Sequence, residues 1–199
     1  MQLTIELDET LHRLTAELND SPEMVNNAIR RTMTKLSRFA ERQVLRELSR
    51  RISVSQTLLK NLGRVKVSLE PPGRRGNDGY QVVIWVGLSA IPAHYLGNPR
   101  QTRSGVRVGR RFWQGAFLMQ PVNSSHAMVF KRAPHWRHRK QLSQRSGKVM
   151  WMGLPIEKQA LSVYEQAGDL LSALESHLLE RFTTLLQQEL NFAFNIEGS

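Results

Sequence analysis

Apolar positions along this chain change period twice. Val25, Ile29, Met33, Leu36, Ala40, Val44 and Leu48 recur at steps of three or four, the stripe that an amphipathic helix buries. Asn19-Asp20-Ser21-Pro22-Glu23 just before it supplies a polar cap, a Pro near the first turn and an acid in that turn. A helix running to about Ile52 is therefore predicted. Ahead of it, Leu3, Ile5 and Leu7 alternate as in a short strand, and Asp8 is placed to cap a short helix through Leu18. Ser53–Leu62 reads as a further short helix ended by Gly63.

From Val65 the period shifts to two. Val65, Val67 and Leu69 alternate with polar residues, and Tyr80–Leu88, rich in β-branched and aromatic residues, reads as a central strand. Residues 71–79, with two Pro and three Gly, form a long turn between them. Ile91–Leu96 suits one helical turn. Asn98–Arg111 reads as a loop. Phe112–Met119 and Ala127–Arg132 read as two strands joined into a hairpin by a polar loop. Pro134–Lys148 reads as a second basic loop, and Val149–Leu161 begins extended, with Pro155 marking a strand start or an edge. The helical period then returns over roughly Gln166–Phe194, with Leu171, Leu174, Leu178, Phe182 and Leu185 on one face, Phe192 continuing it, and Leu170, Leu179, Leu186 and Leu190 widening it. The expected class is α+β: a small antiparallel sheet of four to five strands packed by a long N-terminal helix and a long C-terminal helix. One domain over 1–199 is expected, with a helical part (1–63), a sheet with basic loops (64–161) and a closing helix (162–199).

Composition removes several chemistries. With no Cys among 199 residues, disulfides, thiolate catalysis and Cys-held zinc are excluded. No apolar run approaches the roughly 20 residues of a membrane span. The opening MQLTIELDET lacks a basic and an apolar signal region, so a cytoplasmic product is expected. The net charge of +11 is unevenly spread. Residues 1–63 carry 10 Lys/Arg and 8 Asp/Glu, residues 64–148 carry 16 and 2, and residues 149–199 carry 2 and 7. A basic middle followed by an acidic end favours a polyanion on one face, or head-to-tail contact between copies.

The basic middle holds the candidate contacts. Arg100, Arg103, Arg107, Arg110 and Arg111 fall within 12 residues, flanked by Tyr95 and by Phe112-Trp113. They suit a partner protein in a ring, a DNA backbone followed by counterion release, or a solvated loop. Spread along a loop, they do not suit base-specific readout. Arg137, Arg139 and Lys140 extend the same character. Arg31, Lys35, Arg38, Arg42 and Arg46 form a basic stripe on the first long helix, which reads as a solvated face with a nucleic-acid face as the alternative. His135 and His138 have zinc-like spacing, but no Cys or acid accompanies them and the neighbouring Arg and Lys repel a cation. Glu70 and Asp78 stand apart, without the carboxylate cluster a nuclease metal needs. Ser124-Ser125-His126 has no orienting acid beside it. Neither a P-loop nor a dinucleotide fingerprint occurs, so no enzyme activity, metal or cofactor is expected.

Three short apolar pieces and a closing helix occur in a recognisable order. They are Phe112-Trp113-Gln114-Gly115-Ala116-Phe117, Val129-Phe130-Lys131-Arg132, Leu154-Pro155-Ile156, and the helix after Gln166. In order and spacing they resemble the minor tail protein Z family of lambda-like phages and prophages, and more loosely the head–tail joining proteins. The resemblance covers Arg111 to the C-terminus, near half of the chain, and the link 134–148 is longer than the family's usual one. It implies a structural virion protein at the head-proximal end of the tail, assembled in the host cytoplasm, that completes the tail and readies it for head–tail joining. It also implies a homo-oligomeric ring, a hexamer by tail symmetry, with the tail terminator, connector and tape measure as partners and non-specific contact with DNA. A standalone basic nucleic-acid-binding protein is the alternative class.

Overall fold

The computed structural model describes residues 1–5, 22–73, 79–133, 139–152 and 156–197. The fold is α+β, with two long helices and several small antiparallel sheets. The chain divides into two compact units: residues 1–89 with 163–199, and residues 90–162. The expected short helix capped by Asp8 lies outside the described residues.

The first unit holds β1 (Gln2–Ile5), α1 (Pro22–Ile52), α2 (Gln56–Asn61), β2 (Val65–Glu70), β3 (Gln81–Val86) and α3 (Tyr164–Phe192), which ends in a π-helical turn over Ala193–Glu197. Its antiparallel sheet runs β1-β3-β2, so β3 is central, as its Val-Val-Ile-Trp run predicts. The stripe of α1 is buried from Val25 to Leu48 and packs against α3 and against β2 and β3. From α3, Leu170, Leu174, Leu178, Phe182, Leu185 and Leu186 complete the core, while Leu179 and Phe192 are exposed. Each such buried side chain is worth about 1.5–3 kcal/mol of transfer free energy. The turn out of α1 is closed by Ser55, whose hydroxyl accepts the Leu58 N–H at 3.2 Å and caps α2.

The second unit is all small strands around one short 3₁₀ turn, Ala93–Leu96. They are β4 (Ile91–Pro92), β5 (Pro99–Gln101), β6 (Gly105–Val108), β7 (Arg111–Gln114), β8 (Ala116–Met119), β9 (Met128–Arg132), β10 (Arg139–Leu142), β11 (Val149–Met152), β12 (Ile156–Lys158) and β13 (Ala160–Leu161). They pair as β5-β6-β7, β12-β9-β8, β10-β11 and β13-β4. Ala93, Val106, Val108, Ala116 and Val129 form the core, with Leu96, Trp113 and Leu118 against it.

The strands are thus shared among several sheets rather than gathered into one of four or five. Gly115 is the reason at one place. At φ +70 it takes a left-handed conformation and splits the expected strand 112–119 in two, sending β7 and β8 into different sheets. Among the described residues no helix is long and apolar enough to cross a membrane.

Candidate polyanion and partner interface

The stretch Asn98–Arg111 is not the loop its Arg content suggested. It forms β5, β6 and the start of β7, three antiparallel strands. Val106 and Val108 alternate with Arg107, so β6 buries its Val side chains and turns Arg107 outward. Val108 pairs with Arg111 across the two-residue turn Gly109-Arg110, and Gly109 at φ +57 supplies the positive φ that such a hairpin needs.

Register then decides which basic side chains meet. Arg100 lies directly opposite Arg107, and Arg107 directly opposite Phe112. The three share one outward row across the sheet, with the Arg107 guanidinium 6.0 Å from the Phe112 ring centroid. Arg103 sits in the loop entering β6 and Arg110 in the turn leaving it, so they bracket the row at opposite ends of β6. All four Arg are exposed, and none has a carboxylate partner among the described residues. Arg111 falls on the other face with Val108 and Pro99 and is half-buried. The five Arg of the sequence reading therefore do not act as one cluster.

Two residues hold this sheet in shape, and nothing local in the sequence marked either. Gln101 donates from its side-chain amide to the Thr102 and Gly105 carbonyls at 3.0 Å and to the Ala116 carbonyl at 3.4 Å. Its side-chain oxygen accepts the Leu118 N–H at 2.8 Å. A side-chain amide thus does the work of a peptide group and ties β5 to β8. At Gly105 a Cβ would stand 2.2 Å from the Trp113 carbonyl oxygen and 3.0 Å from Phe112 Cζ. The absent side chain is what lets β7 approach and Phe112 lie over β6.

Arg139 and Lys140 lie on β10, which pairs with β11 in a two-stranded ribbon, so residues 139–142 of the expected loop 134–148 are extended and 143–148 form the turn. Leu142 and Val149 face each other across it, 67% and 66% exposed. Arg137, His135, His138, Asp78, Leu154 and Pro155 lie outside the described residues. Glu70 ends β2 and is buried. Among the described residues no group of three metal-ligating side chains occurs.

On α1 the basic stripe is partly used internally. Glu189 of α3, its side chain only 6% exposed, forms an ion pair with Arg31 at 2.9 Å and accepts a hydrogen bond from Lys35. Arg50 pairs with Glu47 within the helix at 2.6 Å. In the second unit, His94 stacks on Tyr95 (4.3 Å between centroids) and lies 5.0 Å from His126. Burial, with help from Lys158 and His126, lowers the His94 pKa from its ordinary value. Ser125 hydroxyl is 3.3 Å from His126 Nδ1.

Charge divides along the same boundary as the fold. Residues 90–162 carry 13 Lys/Arg against a single acid, Glu157, a net +12, while the other unit carries 15 against 16, a net −1. The whole positive excess therefore belongs to the small all-strand unit. Comparison with known proteins finds no matching family model, no matching curated sequence and no matching solved structure.

Proposed function

We propose that this chain is a structural virion protein of the minor tail protein Z type, which completes the head-proximal end of a phage tail for head–tail joining. The observation that carries this reading is the sheet β12-β9-β8. The strands that contain Ala116-Phe117, Phe130-Lys131-Arg132 and Ile156 come from three separate places in the chain and pair side by side, Phe117 opposite Phe130 and Ile156 opposite Arg132. Parts of three of the pieces on which the resemblance rests thus share one sheet, while Phe112-Trp113-Gln114 lies in β7 of another, and the long helix α3 follows in the chain.

The mechanism is stoichiometric binding. Glu165, Asp169, Glu175 and Glu180 are exposed along α3. The ribbon β10-β11 offers an apolar pair, Leu142 and Val149, among Arg139, Lys140, Arg145 and Lys148. An isolated two-stranded ribbon is marginal in water and gains from a partner surface. A basic, apolar ribbon seated on the acidic helix of the next copy makes a head-to-tail contact, and head-to-tail contacts whose rotation closes form rings. The test is electron microscopy of particles made without this gene. Full-length tails free beside filled heads, or joined but non-infectious particles, support the reading. Normal infectious virions remove it. A second reading, a standalone nucleic-acid-binding protein, is favoured by the +12 on residues 90–162 and predicts normal particles in that experiment.

A further inference from the structure

We infer that the outward face of the β5-β6-β7 sheet is a binding platform for single-stranded nucleic acid, read without sequence preference. The inference does not rest on the tail reading. Its first support is the cross-strand pair Arg100–Arg107. Like charges placed directly opposite in a ladder destabilise it, and no carboxylate among the described residues offsets them. An anion held between two guanidiniums removes that repulsion, and Arg binds phosphate with a rigid fork of donors. The second support is the line of charge along β6. Arg103, Arg107 and Arg110 lie in succession from its entering loop to its leaving turn, with Arg100 beside them, so an extended phosphate backbone following the strand meets each in turn.

The third support chooses the kind of nucleic acid. Phe112 stands on the same outward row, 43% exposed, next to the Arg107 guanidinium. An exposed ring on a flat sheet face, among cations, is a stacking surface for an unpaired base. Bases inside a duplex are sealed in their own stack and cannot use it. A second copy of the chain offers carboxylates to the Arg residues but gives no reason for an exposed ring at the end of the row. Gly105 leaves room for the ring, since a Cβ at that position would press on Phe112 Cζ at 3.0 Å.

The experiment is fluorescence anisotropy with the full chain and a labelled mixed-sequence 20-mer DNA, single-stranded and as its duplex, across a salt series. The single strand should bind more tightly, with a log–log salt slope near −3, about 0.7 for each of four Arg contacts. Arg100→Ser with Arg107→Ser should make that slope shallower by about 1.4. Phe112→Ala should weaken the single strand by about 5- to 100-fold and leave the duplex unchanged. Arg38→Ser with Arg42→Ser, exposed on α1, should change neither, and circular dichroism on every variant confirms that it is folded. The inference is overturned by no binding at low salt, by binding that the Arg100/Arg107 pair does not affect, or by a duplex preference that ignores Phe112. It is also overturned if those variants abolish only self-association, which would give the face to a second copy. Failure on any of these counts leaves the tail reading to its own particle experiment.

Discussion

Arg31 of α1 and Glu189 of α3 meet at 2.9 Å across the seam between the two long helices, and Lys35, one turn along α1, closes on the same carboxylate. Two cations at i and i+4 thus hold one buried acid. The arrangement gives register to a largely apolar seam, because any shift strands the carboxylate near Leu185, Leu186 and Phe182. Glu189→Gln should lower stability by about 1–3 kcal/mol, less than for a wholly buried pair, because Arg31 and Lys35 are partly exposed and can rehydrate. Urea unfolding checks this, with a lower midpoint and an unchanged m-value expected.

Gly105→Ala should be far more damaging than its size suggests. The new Cβ would meet the Trp113 carbonyl oxygen at 2.2 Å, so β6 and β7 must part. A loss of about 2–4 kcal/mol in the second unit is expected, at the level of overpacking with broken ladder bonds. Gly63→Ala, at φ +59 with nothing within 4 Å, should cost only about 1 kcal/mol. Amide exchange by mass spectrometry should show deprotection over residues 99–119 for Gly105→Ala and not for Gly63→Ala.

Gln101→Glu separates hydrogen bonding from packing. The substitution keeps an acceptor for the Leu118 N–H but turns the donor towards Thr102, Gly105 and Ala116 into a carboxylate facing three carbonyls. It should destabilise the unit by about 1–3 kcal/mol, and Gln101→Ala by less, because Ala removes the bonds without introducing repulsion. If thermal melts put Ala below Glu, the side-chain bridge is not what ties β5 to β8.

Stability should fall in mild acid because of His94. Its folded-state pKa is lowered, chiefly by burial, then by Lys158 and His126, so below its ordinary 6.5 the unfolded chain takes up the proton more readily. The contribution is fully present above about pH 6.5 and is lost as the pH falls through the lowered value. Neither ring nitrogen has a hydrogen-bond partner among the described residues to offset protonation. His94→Phe keeps the ring against Tyr95 and should flatten the pH dependence between 7.5 and 5, measured by urea midpoints.

The long helices were legible because their signals are local and redundant. A polar cap, Pro22 and a stripe of seven apolar residues place α1, and a Leu-rich stripe places α3. Strand β3 was legible from its β-branched run. The Arg-rich sheet was not. Strands of three and four residues show alternation over too few positions, and the density of Arg resembles a solvated loop; Val106-Arg107-Val108 and the turn glycine were the only hints. Register, which sets Arg107 between Arg100 and Phe112, is supported by Gln101 and Gly105 acting on residues up to 17 positions away. Glu189 was hidden differently. It follows Leu185 and Leu186 at helical spacing, on the apolar face, and only the partner helix shows why an acid belongs there.

The division of the chain sets an order of events at the ribosome. Residues 90–162 are continuous, so that unit has all its strands once its own 73 residues have emerged. The other unit does not, because α1 packs against a helix encoded after the whole of the basic unit has been made. Until α3 arrives, the stripe from Met33 to Leu48 has one side uncovered, and the nascent chain carries an apolar helix beside a finished, strongly cationic module. The burial of α1 is therefore completed only by the last helix to be made.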